Sequence, residues 1–459
     1  MRKVSALLLA SERRAISGLA GLYASRMLGL FMVLPVLAIY AEALAGATPL
    51  LIGVALGIYG LTQACLQIPF GWLSDRYGRK RMIALGLLLF AAGSVVAALA
   101  DSIGGVIAGR ALQGSGAVAA AIMALLADQT REQVRTAAMA TIGVSIGLSF
   151  ALAMVLGPWL AAWAGLAGVF WFTAALTLVG LLALWRWVPP APRRLKHRDV
   201  GMDRQQLRHV ITRPDLWRLD LSIFTLHLVL MAIFVAVPLR LVNAGISIEH
   251  HGLAYLGIMG AAFVLMIPMV IIAEKKQRMK LMCLVAIGAM VLSLASLGLP
   301  VSQGAGLFFW LLIFFTGFNL LEATLPSMLS KLAPAGAKGT AMGVYSTGQF
   351  LGAFLGGTLG GWLAHTWGLD AVFLGAAALA FLWWVTMWSM PSPPPLSSEV
   401  VALSEEHTDT LDALLERLAD VAGVEDVMVV PEERLAYLKV NRQQLDQAAL
   451  SRLLSPPKQ

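Results

Sequence analysis

The chain has 459 residues, 58% of them hydrophobic and 13% charged, with a mean hydropathy of +0.77. A soluble domain carries about 25% charged residues, so an ordinary soluble protein is excluded. The formal charge of +8 does not point to nucleic acid, because the basic residues are spread between apolar runs rather than gathered into one patch.

Twelve apolar segments follow in chain order, at about 16–41, 49–73, 81–100, 103–127, 135–162, 167–188, 216–242, 252–273, 280–300, 304–330, 338–365 and 369–390. Each is long enough for the roughly 20 residues a membrane-crossing helix needs. The short run after Arg2-Lys3 is interrupted by Glu12-Arg13-Arg14; no cleavable signal peptide is expected, and the first crossing helix does the targeting. Cys65 and Cys283 both sit inside apolar runs and read as buried free thiols, neither a disulfide nor a metal pair.

The basic residues alternate with the crossings. Arg2, Lys3, Arg13 and Arg14, then Arg76 to Arg81, Arg131 and Arg135, the run from Arg186 to Arg218, Lys275 to Lys280, and Lys331 with Lys338 all fall on one side; Arg240 is the exception. Short basic loops stay in the cytoplasm, so both termini of a multi-pass membrane protein are expected there. A Pro-rich central loop over 189–215 divides the helices into bundles at 1–188 and 216–390. The halves resemble each other. Ile68-Pro69, Asp75 and Arg79 recur 199 positions on as Ile267-Pro268, Glu274 and Arg278. Gly114, Ala138-Met139 and Trp159-Leu160-Ala161 recur 203 positions on as Gly317, Ala341-Met342 and Trp362-Leu363-Ala364. Such duplication is typical of secondary transporters that bind substrate between their halves.

Residues 391–396 form a Pro-rich linker, and 397–459 have soluble composition with an acidic balance. Strands are predicted at 400–403, 427–430 and 435–440, with helices at 407–422 and 443–454. That order is most of a ferredoxin-like α+β unit, a candidate for self-association or docking at the membrane face. The overall fold class is an all-α polytopic membrane protein of twelve helices in two pseudo-symmetric six-helix bundles, with this unit appended.

The loop Gly71-x-Leu73-x-Asp75-Arg76-x-Gly78-Arg79-Lys80 lies between charge-free stretches at 49–70 and 82–100. It resembles the loop between the second and third helices of the major facilitator superfamily. Arg110-x-x-Gln113-Gly114-x-Gly116 resembles the family's fourth-helix pattern, and Gly157-Pro158 part of its fifth-helix antiporter pattern, with Ala161 and Ala162 where glycines are expected. Arg26 to Pro35 and Lys338 to Ser346 are similar to a bacterial inner-membrane branch of the family with an appended cytoplasmic unit. The resemblance implies proton-coupled export of a small molecule, a gating role for Gly71, Asp75, Arg76, Gly78, Arg79 and Lys80, and a helix-packing role for Gly157 and Pro158.

Charges inside crossing helices cost about 2.5–3.5 kcal/mol each on insertion scales and mark function. Glu322, near Asn319 in the tenth segment, is the leading candidate for reversible proton binding. Arg26 could pair with Glu322 or contact an anionic substrate group, and Arg110 matches a motif associated with proton transfer. His227 and Asp220 in the seventh segment are more ambiguous. Asp128, Arg131 and Arg135, with Asp75, are expected at helix ends as a gate. No nucleophile–base constellation, metal cluster or phosphate loop is present in the sequence, so no enzyme activity, metal or cofactor is expected; the proton gradient is the expected energy source. The partners expected are protons, a small-molecule substrate and the lipid bilayer. Metabolite symport and a membrane sensor signalling through the appended unit are the alternatives.

Overall fold

Helices follow the apolar runs closely in the computed structural model, which describes residues 9–189, 208, 210–299, 304–334, 338–391, 396–402, 417–430, 435–441 and 444–454. Arg2 and Lys3, most of the central loop, the linker's Pro393, Pro394 and Pro395, most of the helix expected at 407–422 and the turn at 431–433 lie outside the described residues. The bundle elements are α1 (Ala10–Phe31), α2 (Leu34–Tyr40), α3 (Pro49–Tyr77), α4 (Arg79–Ala98), α5 (Ile103–Ser115), α6 (Ala119–Gln129), α7 (Glu132–Arg186), α8 (Pro214–Asn243), α9 (Ile248–Lys275), α10 (Met279–Leu297), α11 (Ala305–Leu332), α12 (Lys338–Trp367) and α13 (Leu369–Trp388).

These elements make twelve crossings, with three departures from a simple one-segment, one-helix count. The first crossing is α1 plus α2, interrupted at Met32 and Val33. Pro35 has no N–H to offer the Phe31 carbonyl, so the helix restarts rather than continuing. The fourth crossing is α5 plus α6, broken at Gly116 (φ −76°, ψ 56°). The fifth and sixth are fused in α7, which turns at Gly165 (φ 67°, ψ −174°), a left-handed conformation that glycine enters without a Cβ clash.

An even number of crossings leaves both ends of the membrane part on one side, here called the terminal face. Glycines explain how the two halves meet away from that face. Along α12, Gly352 and Gly356 lie against α8: a Cβ on either would sit 2.1 Å from the Phe224 or Leu228 carbonyl. The neighbouring stripe, Gly357 and Gly361, lies against α3 of the other half. A Cβ on Gly57 would come within 2.6 Å of the Phe354 carbonyl, and one on Gly53 within 2.1 Å of the Gly357 carbonyl. Two glycine stripes on one helix therefore weld α12 to its own half and to its partner half.

This seam stops partway. Tyr59 still meets Phe350 edge-on at 6.3 Å, but further toward the terminal face Gly71 has only Ala120 of its own half within reach. The halves are closed on the side opposite the termini and parted toward the terminal face. Phe150 floors the cleft, with its ring 5.1 Å from Phe31, 6.4 Å from Phe234 and 5.8 Å from Phe318.

The appended unit forms an antiparallel sheet of β1 (Leu396–Ala402), β2 (Val424–Val430) and β3 (Leu435–Asn441), in the order β1-β3-β2, followed by α14 (Gln447–Leu454). Its small core gathers Leu418, Val421, Ala436, Leu438, Val440 and Leu450. Both cysteines are free, but only Cys283 is buried; the expectation for Cys65 is corrected. An apolar neighbourhood in sequence does not say which way a helical side chain points, and Cys65 lies on an outer face of α3.

Candidate functional site

The ionisable groups well inside the crossing helices collect into two clusters, one in each half. In the first half Arg26 and Arg110 are 1% and 0% exposed. Arg26 Nη2 donates to the Tyr59 hydroxyl (2.7 Å), Gln63 Oε1 (2.9 Å) and the Gly116 carbonyl (3.0 Å). The break in the fourth crossing is what presents that carbonyl. Arg110 donates to the carbonyls of Ala55 and Leu56, both at 3.3 Å, and to Gln113 Oε1 at 2.9 Å. The Gln113 amide donates in turn to Ser94 (2.8 Å). Both guanidiniums lie over the Tyr59 ring, 5.8 and 5.4 Å from its centroid. A cation at a ring face is attracted by the ring quadrupole, more so without water.

The second half is built of different chemistry. Glu322 on α11 keeps 37% of its side chain exposed, and its Oε2 lies 3.8 Å from His227 Nε2 on α8. His227 Nδ1 lies 3.2 Å from the Ile223 carbonyl, and the Gln349 amide lies 2.8 Å from Nε2. With Nδ1–H donating to the carbonyl, Nε2 is the nitrogen that meets the Gln349 amide and faces the carboxyl. Asn319, one turn from Glu322, is buried with its amide nitrogen unpartnered among the described residues, as are one carboxyl oxygen of Asp220 and the Tyr345 hydroxyl. These groups lie between the Phe150 floor and the terminal face, on the open side.

Arg26 and Glu322 are not brought together. Arg26 is enclosed by the first four crossings, while Glu322 faces His227 across the second half; their pairing, one expectation from the sequence, is replaced by these separate networks. Helix rotation decides this, and it is invisible in hydropathy.

The charged loop folds as expected for a turn, with Gly78 at φ 104° between α3 and α4. Arg79 bridges Asp75 (2.6 Å) and Asp128 (2.7 Å), and Lys80 donates to the Val188 carbonyl (2.5 Å). Arg76 lies over the Trp72 and Tyr77 rings. All of these contacts stay within the first half. Arg131 pairs with Glu12, Nε to Oε1 at 2.8 Å and Nη2 to Oε2 at 2.9 Å, tying the start of α1 to the loop after α6. The side chain of Arg135 lies outside the described residues. Gly157 packs onto the Met32 carbonyl, where a Cβ would sit at 2.4 Å, so Gly157-Pro158 seats the fifth crossing against the break in the first.

Sequence reasoning gave no role to Tyr59, Gln63, Gln349 and Tyr345, and saw Gln113 only as part of a motif; together they complete these networks. Their signal was present: Tyr59 and Gln63 are polar groups four apart in an otherwise apolar helix, and neutral polar side chains were not weighed with the charges. Glu12 was seen only as an interruption.

Two pseudo-symmetric six-helix bundles, parted on one side around buried polar clusters, define a secondary transporter of alternating-access architecture. The chain belongs to the major facilitator superfamily, whose model matches residues 19–357 and 290–422, and within it to the YajR-type transporters. A YajR YAM domain model matches residues 399–455. The chain is 48% identical over 443 residues to the inner membrane transport protein YajR of Escherichia coli, covering 95% of this chain and 97% of that protein. It is 29% identical over 386 residues to multidrug resistance protein MdtH of Edwardsiella ictaluri, covering 80% of this chain and 92% of that one. The fold is shared with a crystallised D-xylose–proton symporter at a TM-score of 0.67 and 16% identity, covering 83% of this chain and 98% of the symporter.

Proposed function

We propose that this inner-membrane transporter exports small amphipathic molecules in exchange for protons, with Glu322 and His227 as the proton site. The observation that carries the reading is the carboxyl–imidazole pair at 3.8 Å on the open side of the aromatic floor. A carboxyl and a neutral imidazole can both change charge, whereas an arginine stays protonated; proton uptake therefore falls to the second half. Asn319 and Gln349 flank the pair with neutral hydrogen-bonding groups, and the phenylalanines beneath it suit an apolar portion of the cargo. The multidrug-resistance name of the MdtH relatives agrees with export of such cargo.

In this reading the terminal face is cytoplasmic, as the basic loops favour, and the conformation described is open inward. Asp75 and Gly71 lie on the same helical face of α3 as Gly53, Gly57 and Gly60, the face that meets α12. Closing the terminal side would carry that face toward the start of α12, where a carboxylate is favoured by the helix dipole. The charged loop then acts as the latch of the outward-open state.

The test is flux in proteoliposomes under an imposed pH gradient, across lipophilic cations, organic anions and sugars. Export against protons predicts substrate movement toward the acidic compartment. Movement with the protons would establish symport instead, and no flux at any gradient would overturn the proton-coupled reading.

A further inference from the structure

Lys439 lies on β3, the central strand of the appended sheet, and is 5% exposed. Its ammonium leaves the unit and donates to the backbone carbonyl of Lys331 at 2.6 Å. Lys331 is the penultimate residue of α11, and the last carbonyls of a helix lack intrahelical donors and carry partial negative charge. The appended unit thus supplies a cationic cap to the tenth crossing.

The capped residue has a second role. Lys331 Nζ pairs with Glu274 Oε2 at 2.9 Å, and Ser327 donates to Glu274 Oε1 at 2.9 Å. Glu274 is the counterpart of Asp75, 199 positions on, and Lys331 stands 203 positions on from Asp128. The unit therefore grips the second-half copy of the charged gate. That grip lies beyond Pro326, which has no N–H for the carbonyl of Glu322 four residues back. A proline inside a helix is a point of bending, here set between the cavity acid and the gripped segment.

We propose that the appended unit is an intramolecular regulator of the tenth crossing. Docked through Lys439, it holds residues 327–332 where they lie when the cleft is open to the terminal face. Undocking lets that face close more often. The inference rests on alternating access but not on the identity of the proton site or the cargo.

The test uses the full chain in liposomes, with spin labels at Tyr77 and Lys338 reporting the separation of α3 and α12 on the terminal side. Lys439→Met should raise the closed population at least threefold, and Lys439→Arg, which keeps a donor, should stay near wild type. In a second arm, Lys331→Cys and Lys439→Cys are bridged by a short bis-maleimide in a background lacking Cys65 and Cys283. The bridge should form and should slow alternation at least tenfold relative to the unbridged double variant. Two wild-type distances left unchanged by Lys439→Met, or absence of bridging, overturn the clamp alone. A single wild-type distance under every condition overturns alternating access and the clamp with it.

Discussion

The two halves share an architecture and divide the chemistry. The first half buries two arginines, held by Tyr59, Gln63, Gln113 and backbone carbonyls rather than by acids. The second half places Glu322 and Asp220 beside His227, Asn319 and Tyr345, with no arginine or lysine paired with Glu322 among the described residues. Arginine stays protonated, so the first half is an electrostatic constant. Carboxyl and imidazole groups can gain and lose a proton, and under the proposed function they make the second half the variable. The duplicated frame is symmetric, and differences at a few inward positions give the two copies different chemistry.

The comparison breaks most clearly at Glu322. Glu322→Gln should reduce proton-driven flux to background while leaving the melting temperature close to wild type; flux that persists would mean that the second half does not carry the proton. The first half should respond in the opposite sense. Arg110→Ala strips the donor from two buried carbonyls and leaves a cavity, a loss of about 2–5 kcal/mol in stability by comparison with large-to-small core changes. Thermal denaturation in detergent measures it, and an unshifted melt would show that Arg110 is not a structural constant.

A smaller effect is expected where the halves touch. Gly57→Leu overpacks the seam only in the conformation described here, at about 1–3 kcal/mol. The ratio of the two conformations should move about 5–150-fold toward opening on the side opposite the termini, visible as labelling of cysteines placed there. The smallest effect belongs to the loops. Asp75→Asn should alter switching more than binding, and Glu274→Gln less, because partly exposed ion pairs contribute about 0.2–1 kcal/mol. Equal effects at both positions would mean that the two gates are equivalent.

Much of the fold was legible before any coordinates. The crossings, the division into halves, the charged turn at Gly78 and the three strands of the appended unit follow from hydropathy, spacing and turn chemistry. The site was legible in part. Glu322, His227, Arg26 and Arg110 announced themselves as charges in apolar helices, but their partners did not. Asp128 and Arg131 were placed at helix ends correctly, while the acid that meets Arg131, Glu12, lies more than a hundred residues away.

The sequence by itself determined where the chain crosses and which residues are costly to bury, because transfer from water to lipid is a local, nearly additive property of each segment. Only the tertiary structure decided that Arg26 meets Tyr59 instead of Glu322, which glycine stripe of α12 faces which half, and that Lys439 ends on the tenth crossing. Those outcomes depend on helix rotation and on close packing across distant segments. Neither is written in any one stretch of chain.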